Sequence, residues 1–111
     1  MSEAIIVMVT CGNAAEADDI AWQLLKEHLA ACVNIAGRIR SLSHAEGALA
    51  RESESLLLIK THPDCFEALS QRIKQLHSYE VPEIIAMPIM VGNPDYLEWI
   101  RASTIDARQE G

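Results

Sequence analysis

The sequence predicts an α+β fold in which two strand–helix–strand halves share one sheet. Short apolar runs alternate with segments of helical periodicity, and a stretch of period two between the helical segments is long enough for a β-hairpin. Half of the 111 residues are hydrophobic, which suffices for a single core with little to spare for a second. We therefore expect one domain over residues 1–111.

The first half begins with a buried strand over residues 4–10, a β-branched run that stops at Gly12. A helix is expected next, because apolar residues recur at intervals of three and four between residues 17 and 28. Asn13 or a neighbour is expected to cap this helix, and Glu16 lies in its first turn, where the helix dipole favours an acid.

Residues 32–61 are predicted to form one long hairpin around a turn at Glu46-Gly47. The alternation after Cys32 predicts that one face of the first hairpin strand carries Val33, Ile35, Gly37 and Ile39. A hairpin of this length leaves unpaired strand edges, which invite partners.

The second half repeats the pattern of the first. A helix is predicted from Thr61-His62-Pro63-Asp64, with Thr61 as its cap and the proline in its first turn. A strand over residues 83–91 and a short helix over 96–102 follow, and the polar tail beyond Ser103 is expected to fray. The order βαββαβ folds most economically as a ferredoxin-like sandwich, an antiparallel sheet with both helices on one face.

Charge excludes several classes of partner. The net charge is -7, the pI is near 4.9 and only nine residues are Lys or Arg, so neither a nucleic acid nor an anionic membrane surface is expected. The amino-terminal stretch lacks a basic region, and no apolar run approaches the ~20 residues of a membrane span. Three cysteines without a C-x-x-C pair indicate reduced thiols. We expect a cytoplasmic protein.

Five segments carry a pattern that covers almost the whole chain: residues 29–35, 46–47, 57–61, 77–85 and 96–100. In order and spacing they resemble the CutA1 divalent-cation tolerance family. The resemblance implies a ferredoxin-like fold with an extended hairpin and a C-terminal helix, a tight PII-like homotrimer, and association with copper or another divalent cation. It implies no catalytic activity and no cofactor needed for the fold. The chain departs from the family's hairpin aromatics at Ser43, His44 and Ala45, and from its proline at Gly12.

The resemblance transfers only one copper ligand to this chain. Copper-binding members use a first-strand Cys and two adjacent His; the second His corresponds to His77, whereas Val9 and Leu76 stand at the other two positions. Cys11 lies two residues beyond Val9 and faces the same side of a strand. We therefore take His77 and Cys11 as candidate metal ligands. The alternative is that His77 only hydrogen-bonds the turn that follows it.

A second set of residues is predicted to line a subunit interface or pocket: Cys32, Lys60, Tyr79, Pro82, Glu83, Tyr96 and Trp99. The three aromatic side chains have polar tips, which suit partly wet boundaries. Lys60 and Glu83 are predicted to form an ion pair at a subunit boundary. Cys32 is expected to pack as a small hydrophobe, and Pro82 to favour an extended chain before the last strand.

Other functions are less well supported by the residues. Acylphosphatases of ferredoxin-like fold bind phosphate with an Arg in the loop after the first strand, and residues 10–14 contain no basic side chain. The carboxylate pairs Glu52 with Glu54 and Glu80 with Glu83 have no accompanying nucleophile. Two alternatives remain open: a PII-like trimer that binds a small regulatory ligand in clefts between subunits, and a trimer that only binds a protein partner.

Overall fold

The computed structural model describes residues 2–110 and contains one antiparallel sheet with the strand order β2-β3-β1-β4. The strands are β1 (Ile5–Cys11), β2 (Cys32–Ala45), β3 (Ala48–Thr61) and β4 (Ile84–Pro88). The helices are α1 (Ala14–Lys26), α2 (Phe66–Leu76), α3 (Pro94–Arg101) and α4 (Ala107–Glu110), with a 3-10 turn at Pro63–Cys65 and a π-helical turn at Ala102–Asp106. The predicted α+β, ferredoxin-like βαββαβ arrangement is confirmed.

The core lies between one face of the sheet and helices α1 and α2. Every second residue of β1 points to this face, so Val7, Val9 and Cys11 share it and are fully buried. They pack with residues of β3 and of the two helical stripes: Leu57, Ile59, Ile20, Leu24, Leu69 and Ile73. Cys11, the last residue of β1, therefore lies at one end of the core, on the face of the sheet that the helices cover.

The opposite face of the sheet carries an apolar row. Met8 lies directly between Leu58 of β3 and Ile85 of β4 in the strand register, so the three side chains share this outer face. Ile85 and Met87 are 51% and 46% exposed in the single chain. A sheet face of this composition is typical of a surface that a partner covers.

The hairpin extends well beyond β1, because β1 pairs with β3 only from Thr61 to Ser55. Its turn is the predicted one: Glu46 and Gly47 have φ of 50° and 83°, as a two-residue primed turn requires. The prediction for Ile39 is wrong. A bulge between Ala36 and Ile39 adds one residue to β2, so Ile39 pairs with Glu54 and changes to the outer face.

Three local predictions are also corrected. β4 ends at Pro88 and not at residue 91, although the Ile89 N–H still donates to the Ala4 carbonyl at 2.9 Å. His28 lies beyond the end of α1 with φ of 57°, outside the helical stripe. Thr61 is not a helix cap: its hydroxyl donates to the Leu29 carbonyl at 2.7 Å, and the His62 side chain accepts the Asp64 N–H instead.

The chain beyond Ser103 is helical and docked, so the expectation of a frayed tail is wrong. The Arg108 guanidinium donates to the Glu27 carbonyl at 2.7 Å, and the His28 ring lies 3.0 Å from the Ser103 carbonyl. Thr104 is fully buried and donates to the Ile100 carbonyl. Tertiary contacts with the end of α1 therefore order a segment whose composition is polar. No helix within residues 2–110 is both long and apolar enough to cross a bilayer.

Replacing Thr61 by Val tests the buried bond that joins β3 to the chain after α1. The substitution keeps the shape of the side chain but leaves the Leu29 carbonyl without its donor, so we expect the free energy of unfolding to fall by about 1 to 3 kcal/mol. Chemical denaturation measures this. Ser53→Val, at an exposed position of the same strand, is the control and should change stability by less than about 0.5 kcal/mol.

Candidate metal centre

Three elements bring a thiol, a carboxylate and an imidazole together at one end of the core. Cys11 is the last residue of β1, Glu16 lies in the first turn of α1, and His77 caps the end of α2. Asn13 caps α1 by accepting the Glu16 N–H at 2.8 Å, which makes the turn from β1 into α1 short. One ligand atom of each of Cys11, Glu16 and His77 lies within 4.8 Å of the other two.

Both ring nitrogens of His77 are engaged by the backbone. The Tyr79 N–H donates to Nδ1 at 3.0 Å, so Nδ1 carries no proton, and Nε2 donates its proton to the Thr10 carbonyl at 2.7 Å. The side chain has no exposed surface. His77 thus has the structural role that the sequence left as an alternative, while Nδ1 lies 4.0 Å from a carboxylate oxygen of Glu16.

Glu16 contributes the one feature of the cluster that is left unsatisfied within the described part of the chain. Its Oε2 accepts the Ser78 N–H at 2.8 Å, whereas Oε1 is a buried oxygen without a hydrogen-bond partner. Burying an acceptor without a partner costs about 1 to 3 kcal/mol. A cation beside Oε1 would remove that cost, so the residues present fit a metal ion.

Cys11 is held as a thiol. Burial, followed by the nearby carboxylates of Glu16 and Glu54, raises its pKa from the ordinary value of 9.0 to about 11. At neutral pH the side chain is therefore protonated and is a poor nucleophile. A metal ion would have to displace the proton. Thiolate, imidazole and carboxylate together suit zinc and copper ions.

Tyr79 connects this cluster to the hairpin. Its ring packs on that of His77 with centroids 4.7 Å apart, and its hydroxyl donates to Oε2 of Glu54 at 2.7 Å. Burial, followed by the hydrogen bond to Glu54, raises the pKa of Tyr79. Gly12 leaves room for the hydroxyl, since a Cβ at Gly12 would lie only 3.3 Å from it.

An open cleft of about 640 Å³ lies between the hairpin and the turn that carries Tyr79. Three carboxylates line it, from Glu52 and Glu54 of β3 and from Glu83 just before β4. The cleft is therefore acidic, and Tyr79 lies between it and the cluster of Cys11, Glu16 and His77.

A model of one protein family, described as CutA1 divalent ion tolerance protein, matches residues 5–103. The chain belongs to the CutA1 family. It is 43% identical over 99 residues to the divalent-cation tolerance protein CutA of Thermus thermophilus, a match that covers 89% of this chain and 96% of that protein. It is 44% identical over 101 residues to the chloroplastic CutA 1 of Oryza sativa, covering 91% of this chain but only 57% of the rice protein.

Solved structures of CutA1 proteins have the same fold. The Thermus thermophilus structure superposes with a TM-score of 0.89 at 42% identity, covering 91% of this chain and 98% of that one. The Oryza sativa structure gives a TM-score of 0.90 at 43% identity, covering 93% and 94%.

The other residues expected at a CutA1 interface fall into two places. Tyr79 and Glu83 line the acidic cleft, and Pro82 is half-buried in the same turn. Cys32 and Lys60 lie opposite one another at the far end of the sheet. The two remaining aromatics, Tyr96 and Trp99, stack there with centroids 5.5 Å apart, and burial and the Cys32 thiol raise the pKa of Tyr96.

Lys60 and Glu83 are not at corresponding strand ends of one chain. Lys60 pairs with Ile6, whereas Glu83 precedes the pair of Val9 with Ile84. They are thus separated by about 13 Å along the strand direction. No ion pair joins them within residues 2–110. A pair between subunits stays a prediction.

Sequence reasoning missed Glu16 as a member of the metal cluster. The sequence places Glu16 only in the first turn of α1, and the carboxylates that follow His77 most closely in the chain, Glu80 and Glu83, are exposed. The available signal was the short spacing between Cys11 and Glu16 across a strand-to-helix turn. That spacing does not reveal that the end of α2 meets the same turn.

Because the pKa of Cys11 is raised on folding, the stability of the protein should change with pH in the alkaline range. Below pH 9 the thiol is protonated in both states; between pH 9 and 11 the unfolded chain releases this proton first, so the free energy of unfolding falls with pH. Between pH 9 and 11 we expect the free energy of unfolding of Cys11→Ala to fall by about 2 to 3 kcal/mol less than that of the wild type. Denaturant melts at pH 8, 9, 10 and 11 measure the difference.

Cys32→Ala is the matched control, because Cys32 is a half-buried thiol at the opposite end of the sheet. It should follow the wild-type pH dependence. Parallel curves for the wild type and Cys11→Ala would contradict the assignment of a raised thiol pKa to Cys11.

Proposed function

We propose that this CutA1 family member binds copper or another divalent cation through Cys11, Glu16 and His77, and that this binding underlies a role in divalent-cation tolerance. The observation that carries the proposal is the buried, unpartnered Oε1 of Glu16 beside a thiol and an imidazole. When bound, the ion would exchange the thiol proton for a sulfur–metal bond. The chain supplies the ligands and excludes water from them.

The role we propose is non-enzymatic. Cys11 is the obvious nucleophile beside His77, but its raised pKa and complete burial disfavour attack on a substrate. His77 is an equally poor general base, because its nitrogens already serve Thr10 and Tyr79. These features support binding as the function of the cluster.

We further propose that the protein is a homotrimer. Ile85 and Met87 leave half of their surface exposed on the outer sheet face, and β3 has no neighbour along the hairpin beyond Ser55 on the β1 side within the described residues. Contact with further copies of the chain would bury the apolar face and pair the free strand edge, both of which otherwise favour aggregation. An ion pair of Lys60 with Glu83 from another subunit belongs to this proposal.

The cytoplasm is the location we propose, supported by the free thiols of Cys11, Cys32 and Cys65. Relatives differ in their compartment, since names of two of them include "chloroplastic" and "periplasmic". Fractionation of cells that express the full chain tests the location.

Calorimetric titration of the reduced protein, under anaerobic conditions and after removal of the reductant, tests the metal centre. We expect binding of Cu²⁺ and Zn²⁺ at micromolar concentration, with Zn²⁺ included because it has no redox chemistry. Glu16→Gln keeps the size of the side chain and an acceptor for the Ser78 N–H, yet removes the charge. It should weaken binding at least about tenfold.

His44→Ala is the control for that titration, because His44 is exposed on the hairpin. It should leave the affinity unchanged. His77→Ala should abolish binding, although it also removes the hydrogen bonds to Thr10 and Tyr79 and needs a folding check. Absence of binding to the wild type at micromolar metal would rule out this centre.

The trimer is tested by light scattering coupled to gel filtration. We expect a trimeric mass for the wild type and a loss of the trimer for Ile85→Glu, because that change places a charge in the apolar outer face. Trp22→Glu, on the exposed side of α1, is the control and should remain trimeric. A monomeric wild type, or a trimeric Ile85→Glu variant, would refute the proposed interface.

A further inference from the structure

The candidate ligands are closed off from solvent. Cys11 and the His77 side chain have no exposed surface, and the Glu16 side chain is 15% exposed. Ligands of one tetrahedral zinc ion lie about 3.5 Å apart. The cluster spans up to 4.8 Å, so its atoms must close by about 1 Å to share an ion. A cation therefore cannot enter without a local rearrangement.

The contact that must be released is the hydrogen bond from the Tyr79 N–H to His77. The Nδ1 atom has one lone pair in the ring plane, and that lone pair accepts the Tyr79 N–H at 3.0 Å. The same lone pair cannot bind a cation at the same time. Nδ1 is also the nitrogen that lies 4.0 Å from Oε1 of Glu16, whereas Nε2 donates to the Thr10 carbonyl.

Glu16 presents no such obstacle. Its Oε1 is already free, and its Oε2 can keep the Ser78 N–H while Oε1 meets a cation. Of the two successive amides in this turn, only that of Tyr79 competes with a metal ion.

Tyr79 is also held at its other end. Its hydroxyl donates to the Glu54 carboxylate at 2.7 Å, and Glu54 is buried in β3. Hydrogen bonds to a charged acceptor are about twice as strong as neutral ones. Tyr79 is thus held at two points, by its hydroxyl on Glu54 and by its amide on His77, and the bond to Glu54 favours the position in which the amide donates to the imidazole.

We propose that Tyr79 is the gate of the metal centre, a positioning residue whose bond to Glu54 holds the His77 lone pair in the closed, metal-free arrangement. The proposal rests on the proposed function of the cluster. Metal binding releases Tyr79 from His77 and from Glu54, which frees the Glu54 carboxylate towards the acidic cleft. Occupation of the centre is thereby transmitted to the hairpin.

The gate predicts that removing a hydroxyl strengthens metal binding. When the competent state is a minor one, the apparent dissociation constant equals the intrinsic one divided by the competent fraction. Tyr79→Phe keeps the ring on His77 but removes the bond to Glu54, so the open fraction rises. We expect Zn²⁺ to bind Tyr79→Phe about tenfold more tightly than the wild type.

Zn²⁺ titration of the full chain by calorimetry measures this, with Tyr96→Phe as the matched control. Tyr96 is also a partly exposed tyrosine, but it lies on α3 against Trp99. Its loss of a hydroxyl should leave Zn²⁺ affinity unchanged. Equal affinities of the wild type and Tyr79→Phe would overturn the gate while leaving the metal centre in place.

Amide hydrogen exchange of the wild type, with and without saturating Zn²⁺, gives a second measurement that needs no variant. The Tyr79 amide should lose protection on metal addition, whereas the adjacent Ser78 amide should keep it through Glu16. A Tyr79 amide that stays protected with Zn²⁺ bound would overturn the gate. If the wild type does not bind Zn²⁺ at micromolar concentration, the centre and its gate both fail.

Discussion

A hydrogen bond between the His77 imidazole and the Thr10 carbonyl joins the end of α2 to the end of β1. β1 is paired on both sides, with β3 and with β4, so a contact at its end sets the helix layer against the whole sheet. Both partners are buried, and leaving either without the other would cost about 1 to 3 kcal/mol. This bond positions Cys11, Glu16 and Tyr79, because each of them follows Thr10 or His77 by only a few residues.

The same imidazole is the candidate metal ligand, so the hydrogen bonds that stabilise the fold compete with a metal ion for its nitrogens. In the closed arrangement both nitrogens stabilise the fold, the neighbouring thiol keeps its proton, and one carboxylate oxygen of Glu16 has no partner. A locally unsatisfied group in an otherwise well-packed core is a common mark of a functional site. The packing of the surrounding core offsets the free energy lost by burying Oε1 of Glu16 without a partner, and a bound cation would remove that loss.

Periodicity in the sequence correctly predicted β1, α1, the hairpin and α2, because each buries one face and its apolar residues repeat accordingly. The errors have specific tertiary causes. One extra residue in β2 reversed the face of Ile39, a bond to Leu29 took Thr61 away from its helix, and Arg108 docked a tail whose composition is polar. The family resemblance supplied His77, and strand alternation from Val9 supplied Cys11.

The sequence by itself determined the element order, the turn at Gly47 and the side of the sheet on which Cys11 lies, since these depend on local periodicity and on backbone preferences of single residues. Only the tertiary structure decided that Glu16 meets His77, and that Glu54 holds Tyr79. Those contacts join residues far apart in the chain. They are fixed by the strand register and by the packing of α2 on α1, which no local pattern encodes.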